Sequence, residues 1–169
     1  MDNFDNLNLL DIRNDDEYFM TLAIRESLKA YEVGEVPVGA IAVKDGKIIA
    51  KAHNQIEKLK DATAHAEILL ITQVSSYLGD WRLNDITIYV TKEPCPMCAG
   101  AMVNAKLSKL VFGLKDPKYG AAGSALDITN FAGTLHRVEV TGGILEDKCL
   151  EIFQSFFREL RKENIQKSS

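Results

Sequence analysis

A chain of 169 residues with 46% hydrophobic and 26% charged residues has the size and balance of one globular domain with a sizeable core. Its net charge of −4 argues against a uniformly basic nucleic-acid binder, and no apolar run reaches membrane-spanning length. Three cysteines are too few for a disulfide framework and no signal-peptide pattern opens the chain, so a reducing cytoplasm is the expected setting.

The charge is unevenly placed. Residues 1–17 carry Asp2, Asp5, Asp11, Asp15, Asp16 and Glu17 against Arg13, net −5, and the remainder of the chain comes to +1. Residues 1–13 have little periodicity and read as a flexible acidic lead-in, with residues 14–169 as a single domain. Asn14 and Glu17 resemble a capping pair, and Phe19, Leu22, Ala23, Leu28 and Tyr31 follow as a helical apolar stripe closed by Gly34. Val38 to Val43 and Lys47 to Ala52 read as strands joined by Asp45-Gly46, a strong hairpin turn. Asn54 to Ala62 is a polar loop. Thr63 to Leu78 is a helix with Thr63 as its cap, stopped by Gly79. Ile86 to Thr91 alternates as a strand, Pro96 to Ala105 is a helix, and Lys109 to Gly113 is another strand. Asp116 to Ser124 is an irregular Gly- and Ala-rich connection, Val138 to Thr141 a short strand, and Asp147 to Lys162 a closing amphipathic helix.

Two helix starts carry the chemistry. His65 lies in Thr63-Ala64-His65-Ala66-Glu67, and Cys95 and Cys98 lie in Pro94-Cys95-Pro96-Met97-Cys98. The cysteines are i and i+3, on one helix face, and Pro96 suits the first helical turn. Thiolates at a helix N-terminus are favoured by its unpaired N–H groups and dipole. One imidazole and two thiolates leave one of zinc's four positions for water, the arrangement of a catalytic site. Cys149, His53 and His136 are the spare ligand types, and none falls in a paired spacing. His53 reads as a strand-end imidazole. Glu67, beside the metal but two residues from His65, is placed to move protons rather than to ligate.

His-x-Glu followed by Pro-Cys-x-x-Cys is the known signature of zinc nucleobase deaminases. Thr63-Ala-His-Ala-Glu-Ile68, Glu93-Pro-Cys-Pro-Met-Cys-Ala-Gly-Ala-Met102, Gly120-Ala-Ala-Gly-Ser124, Glu35-Val-Pro-Val-Gly-Ala40, Val111-Phe-Gly113 and Phe156-Phe-Arg158 together resemble the bacterial tRNA-specific adenosine deaminases, from about Tyr18 to Lys162. The resemblance implies a cytidine-deaminase-like α/β fold, three layers around a central mixed five-stranded sheet. It implies one Zn2+ per subunit on His65, Cys95 and Cys98, Glu67 as the proton carrier, a homodimer, and hydrolytic conversion of adenosine to inosine at the wobble position of an anticodon. The substrate would be the anticodon stem-loop of a tRNA, by resemblance an arginine tRNA. Asn54 would hold the flipped nucleotide, and the N–H groups near Ala66 and Cys95 would steady the charged intermediate. Asp116, Lys118, Phe157 and Arg161 would face the flanking nucleotides.

Basic patches at residues 106–118, net +3, and around Arg158, Arg161 and Lys162 fit an RNA partner, though a solvated lysine face would look the same. Lys92, Tyr119 and Leu135 depart from the family pattern, where an apolar residue, a small residue and Asn are usual. Two rival readings fit the zinc motifs alone: a free-base or nucleotide deaminase, and a non-catalytic RNA-binding subunit with structural zinc.

Overall fold

The computed structural model describes residues 15–168. Residues 1–13 and the Asn14 half of the expected capping pair lie outside the described residues. Helix α1 (Asp15–Glu32) opens on Asp15, Asp16 and Glu17 and closes near Lys29, charges that suit its dipole at both ends. Its buried face is Met20, Ala23, Ile24, Ser27 and Ala30, the spacing of one helical stripe. The hairpin follows as β1 (Gly39–Lys44) and β2 (Lys47–His53). Asp45 at φ 49° and Gly46 at φ +73° put both turn residues in the left-handed region, as an Asp-Gly hairpin turn requires.

Next come α2 (Ile56–Leu59), α3 (Ala66–Leu78), β3 (Thr87–Lys92), α4 (Pro96–Asn104), β4 (Lys109–Leu114), β5 (Glu139–Thr141) and α5 (Glu146–Lys167). The sheet has five strands in the order β2-β1-β3-β4-β5. β1 is antiparallel to β2 and β3, while β3, β4 and β5 run parallel. The sheet is therefore mixed, with α4 as the crossover between parallel neighbours. Alternation along the strands sorts the core into two layers. Ala40, Ala42, Ile88, Val90, Leu110 and Phe112 face one cluster, shared with Leu70 and Val74 of α3 and Met102 of α4. Ile41, Val43, Tyr89 and Val111 face the other, shared with Met20 and Ile24 of α1 and Ile152 of α5. This is the cytidine-deaminase-like three-layer α/β/α arrangement expected from the resemblance. Gly39 is obligatory where α1 crosses β1, because a Cβ there would collide with the backbone at Ala23 and Ser27.

Three local expectations change. The loop at 54–62 contains α2, whose first-turn N–H groups at Glu57 and Lys58 donate to the Glu35 carboxylate at 3.1 and 2.8 Å. That cap comes from 22 residues upstream, so no local pattern announces the helix. Helix α3 starts at Ala66 rather than Thr63, because the Thr63 N–H and hydroxyl both donate to Asp61 at 2.8 and 2.7 Å in a turn of their own. Helix α5 runs to Lys167, past the core, through exposed residues of good helix propensity.

Candidate active site

Both metal-ligand stretches sit at helix starts. His65 is the N-cap residue of α3 at φ −68°, ψ 150°, and Cys95 that of α4 at φ −69°, ψ 171°. Each is extended backbone that turns its side chain off the end of the helix, so the two starts meet. Pro96 occupies the first turn of α4, and Cys98 lies buried one turn in. The His65 Nδ1 atom is 3.7 Å from Cys95 Sγ and 3.5 Å from Cys98 Sγ. A tetrahedral zinc with ordinary Zn–N and Zn–S bonds requires an N to S edge of about 3.6 Å. The donor set and its spacing thus fit zinc with no rearrangement. Among the described residues these three form the group able to hold a metal ion. The spare candidates are spent elsewhere: His53 faces Glu26 at 3.8 Å, His136 Nε2 meets the Leu107 carbonyl at 2.7 Å, and Cys149 is buried against Gly113. A fourth coordination position is therefore left to a small molecule.

The electrostatics suit a cation. A hydrogen bond from Cys98 brings the Cys95 thiol down to about 4, helped by His65 and opposed by burial. Donating that bond, together with burial, pushes Cys98 up. His65 is raised through its contact with Cys95. A metal among them would take the place of the shared proton. Glu67 is 4% exposed, and burial raises its carboxyl above the ordinary range, which favours its protonated form.

A cavity of about 210 Å3 opens beside this group at the carboxyl end of β3, where ligands bind in α/β sheets. His65, Glu67 and Cys95 line it together with Val36, Val38 and Ile56. Asn54, 5% exposed, also reaches it. Its Oδ1 accepts from the Ala66 N–H at 2.8 Å and its Nδ2 donates to the Val36 carbonyl at 3.1 Å. Asn54 thus caps α3 from outside the helix and holds the peptide between His65 and Glu67. The Ala66 N–H is committed to that bond.

Asp116 does not line the cavity but pairs with Lys92, which does. Its Oδ1 accepts from the Lys118 and Tyr119 N–H groups at 3.1 and 3.0 Å, and its other oxygen pairs with the Lys92 ammonium. Burial works the other way, but these partners hold its carboxyl below the usual range. The Lys118 side chain is exposed, as is Arg161 on α5. Neither lines the cavity. Phe157 packs on Phe153 and Phe156, ring centroids 5.0 and 5.3 Å away, and it is Phe153 that reaches the cavity wall. The two phenylalanines are one helical turn apart, so the sequence pattern does not separate them. Lys92, Glu93 and Tyr119 also line the wall, and of these only Lys92 and Tyr119 stand out in the sequence, as departures from the family pattern.

Glu93 is buried and receives the Ser124 hydroxyl at 2.7 Å, while its other carboxylate oxygen has no hydrogen-bond partner among the described residues. That carboxylate packs against Gly120, where any Cβ would overlap it. The loop after β4 is further fastened by the Ala121 N–H on the Pro94 carbonyl at 2.8 Å.

Sheet, helix-start ligands and buried carboxylate define a deaminase: the MafB19-like deaminase family model matches residues 13–161. The chain is 49% identical over 147 residues to the tRNA-specific adenosine deaminase of Bacillus subtilis, spanning 87% of this chain and 91% of that protein. It is 45% identical over 145 residues to the enzyme of the same name from Aquifex aeolicus, spanning 86% of this chain and 95% of that one. A structure solved in studies of A-to-I editing by tRNA:A34 deaminases superimposes with a TM-score of 0.77 at 41% identity, covering 80% of this chain and 98% of its own. The chain belongs to the family of tRNA-specific adenosine deaminases.

Proposed function

We propose that this protein is a zinc-dependent enzyme that deaminates adenosine to inosine at the wobble position of a tRNA anticodon. The observation that carries the reading is the His65, Cys95 and Cys98 group, spaced for zinc, beside the buried Glu67 at one cavity. Zinc bound there would supply a water acidified towards neutrality as the nucleophile. Glu67 accepts a proton from that water as it attacks C6 of the base. It passes that proton to the ring nitrogen, then takes the second proton from the hydroxyl left at C6 and passes it to the amine, which leaves as ammonia. The apolar wall of Val36, Val38 and Ile56 receives the purine ring and excludes other water. Asn54 keeps one Nδ2 hydrogen for the substrate after its bond to Val36. Asp116, Lys118, Phe157 and Arg161 lie on the loop after β4 and on α5, the side from which the flanking nucleotides approach.

Relatives named as tRNA-specific adenosine deaminases support RNA over a free base. The retained Glu67 disfavours a non-catalytic subunit, which needs no proton carrier. The family reading further proposes a cytoplasmic homodimer acting on an arginine tRNA. No helix among the described residues is long and apolar enough to cross a membrane. The test is purified protein on a panel of tRNAs and free nucleosides, with inosine read by mass spectrometry and zinc by metal analysis. Inosine at the wobble position with one zinc per chain is expected. Turnover of free nucleosides alone would overturn the reading.

A further inference from the structure

Two carboxylates, Glu67 and Glu93, line the cavity, and Lys92 is the lysine or arginine among the lining residues. Lys92 ends β3, three residues before Cys95. Its ammonium pairs with Asp116 and lies 5.6 Å from the centre of the Phe153 ring. The side chains of Lys92 and Asp116 keep 22% and 18% of their exposure, so solvent reaches the pair beside the cavity that Lys92 lines.

The pair is not required as a clasp. The loop bearing Asp116 is already fastened by Ala121 to Pro94, by the Gly120 N–H to the Asp116 carbonyl at 2.9 Å, and by Ser124 to Glu93. A partly buried ion pair also adds little net stability, because desolvating both ions offsets their attraction. An apolar side chain would suit the wall against Phe153 as well. A cation in direct contact with one carboxylate and an aromatic face, with the Glu67 and Glu93 carboxylates acting on it from farther off, is instead poised to exchange that one contact for another anion. A nucleotide whose base enters this cavity leaves its ribose and phosphates at the cavity's mouth.

On the reading that the substrate is RNA, we propose that Lys92 is a substrate-positioning residue whose ammonium leaves Asp116 to pair with the phosphodiester next to the target nucleotide. Phe153 limits where the ammonium can swing, and the contact sets the depth at which the base rests over the zinc group. Lys92 touches no reacting atom. Its effect therefore falls on KM and on the salt dependence of binding.

The test uses the full-length, zinc-loaded protein and an anticodon stem-loop, either native or with one neutral methylphosphonate flanking the target adenosine. Lys92→Met is expected to raise KM about tenfold, the worth of one charge-assisted contact, and to leave kcat within about threefold. The plot of log Kd against log salt should become shallower by about 0.7, the share of one phosphate on a single strand. Lys92→Arg should restore both values. On the methylphosphonate RNA the wild type should fall to the level of Lys92→Met, and that variant should lose nothing further. An unchanged salt slope in Lys92→Met would overturn the proposal, as would a methylphosphonate loss that simply adds to that of the variant. A lowered kcat with an unchanged slope would make Lys92 a loop clasp and overturn it too. A wild type inert on every RNA would overturn the RNA reading together with this one, whereas an active wild type matched by Lys92→Met would overturn this proposal alone.

Discussion

Replacing Asn54 with alanine tests whether the start of α3 is held from outside the helix. Asn54 is 5% exposed and Ala66 fully buried, so the substitution strands the Ala66 N–H where water does not reach. An unpaired buried donor costs about 1–3 kcal/mol, and helix caps measured by substitution fall in the same range. The Val36 carbonyl loses one donor but keeps the Val38 N–H at 2.8 Å, so little is added on that side. A total of about 2–3 kcal/mol follows, or roughly 5–10 °C in Tm for a chain of this size. Because Ala66 lies between His65 and Glu67, turnover should fall with stability. Asn54→Asp keeps the acceptor for Ala66 and should lose less stability than Asn54→Ala. The assay is urea unfolding at fixed free zinc, so that metal linkage does not move the midpoint, with turnover measured alongside. Asn54→Ala unfolding within about 0.5 kcal/mol of wild type would refute the reasoning, since that is the scatter of surface substitutions with no structural role.

Glu67→Ala should keep its zinc and lose about 10²–10⁴ in turnover, as removal of a general acid–base does. Loss of the metal would make Glu67 a ligand and sink the mechanism. Cys95→Ser or His65→Ala should instead lose the metal, read by metal analysis, and with it stability. Tyr89→Phe removes a 2.7 Å hydrogen bond to Asp16 that ties β3 to the start of α1, and should cost about 1–2 kcal/mol at neutral pH. Burial and that bond raise the Tyr89 hydroxyl, so the folded state holds its proton longer than the unfolded state. Its contribution is complete below the unfolded value and is lost as pH rises beyond it, so Tyr89→Phe should flatten the alkaline arm of a stability–pH curve. Neutralising Lys118 and Arg161 together should weaken RNA binding and reduce its salt slope by up to about 1.4, leaving the rate at saturating RNA little changed. Removing residues 1–13, whose sequence lacks a periodic apolar face, should move Tm by less than about 2 °C and leave turnover intact.

A short apolar run before the Asp45-Gly46 turn and the alternation of Ile86 to Thr91 made most of the sheet legible. The run 40–43 is apolar throughout, and only the structure sorts Ile41 and Val43 to one face and Ala40 and Ala42 to the other, with Tyr89 set against Ile88 and Val90 in the same way. The Asp45-Gly46 turn and Pro96 in the first turn of α4 are chemistry that acts on its neighbours, and both were readable. What escaped was capping supplied at a distance. Glu35 holds the start of α2 and Asn54 that of α3, through side chains whose partners lie 22 and 12 residues away. The same limit hid Phe153, which a pattern treats as equal to Phe157, and the pairing of Lys92 with Asp116 across 24 residues. The His65, Cys95 and Cys98 group, able to hold a metal ion, was legible because both its halves sit in short motifs.

The cavity of about 210 Å3 has a consequence for which RNA molecules can be processed. It is smaller than the usual pocket for a drug-sized ligand, a size that suits one nucleobase on the proposed function. On the proposed function, the protein would bind only the fraction of RNA molecules in which the target base is already out of the stack. Apparent affinity is weakened by that fraction, whatever the contacts made afterwards. An adenosine held in a duplex carries an unstacking cost of a few kcal/mol, whereas one in a strained loop has met most of it beforehand. Selection among adenosines is then partly a reading of how often each one opens, and two loops of identical sequence at the target could be edited at different rates because their stems differ.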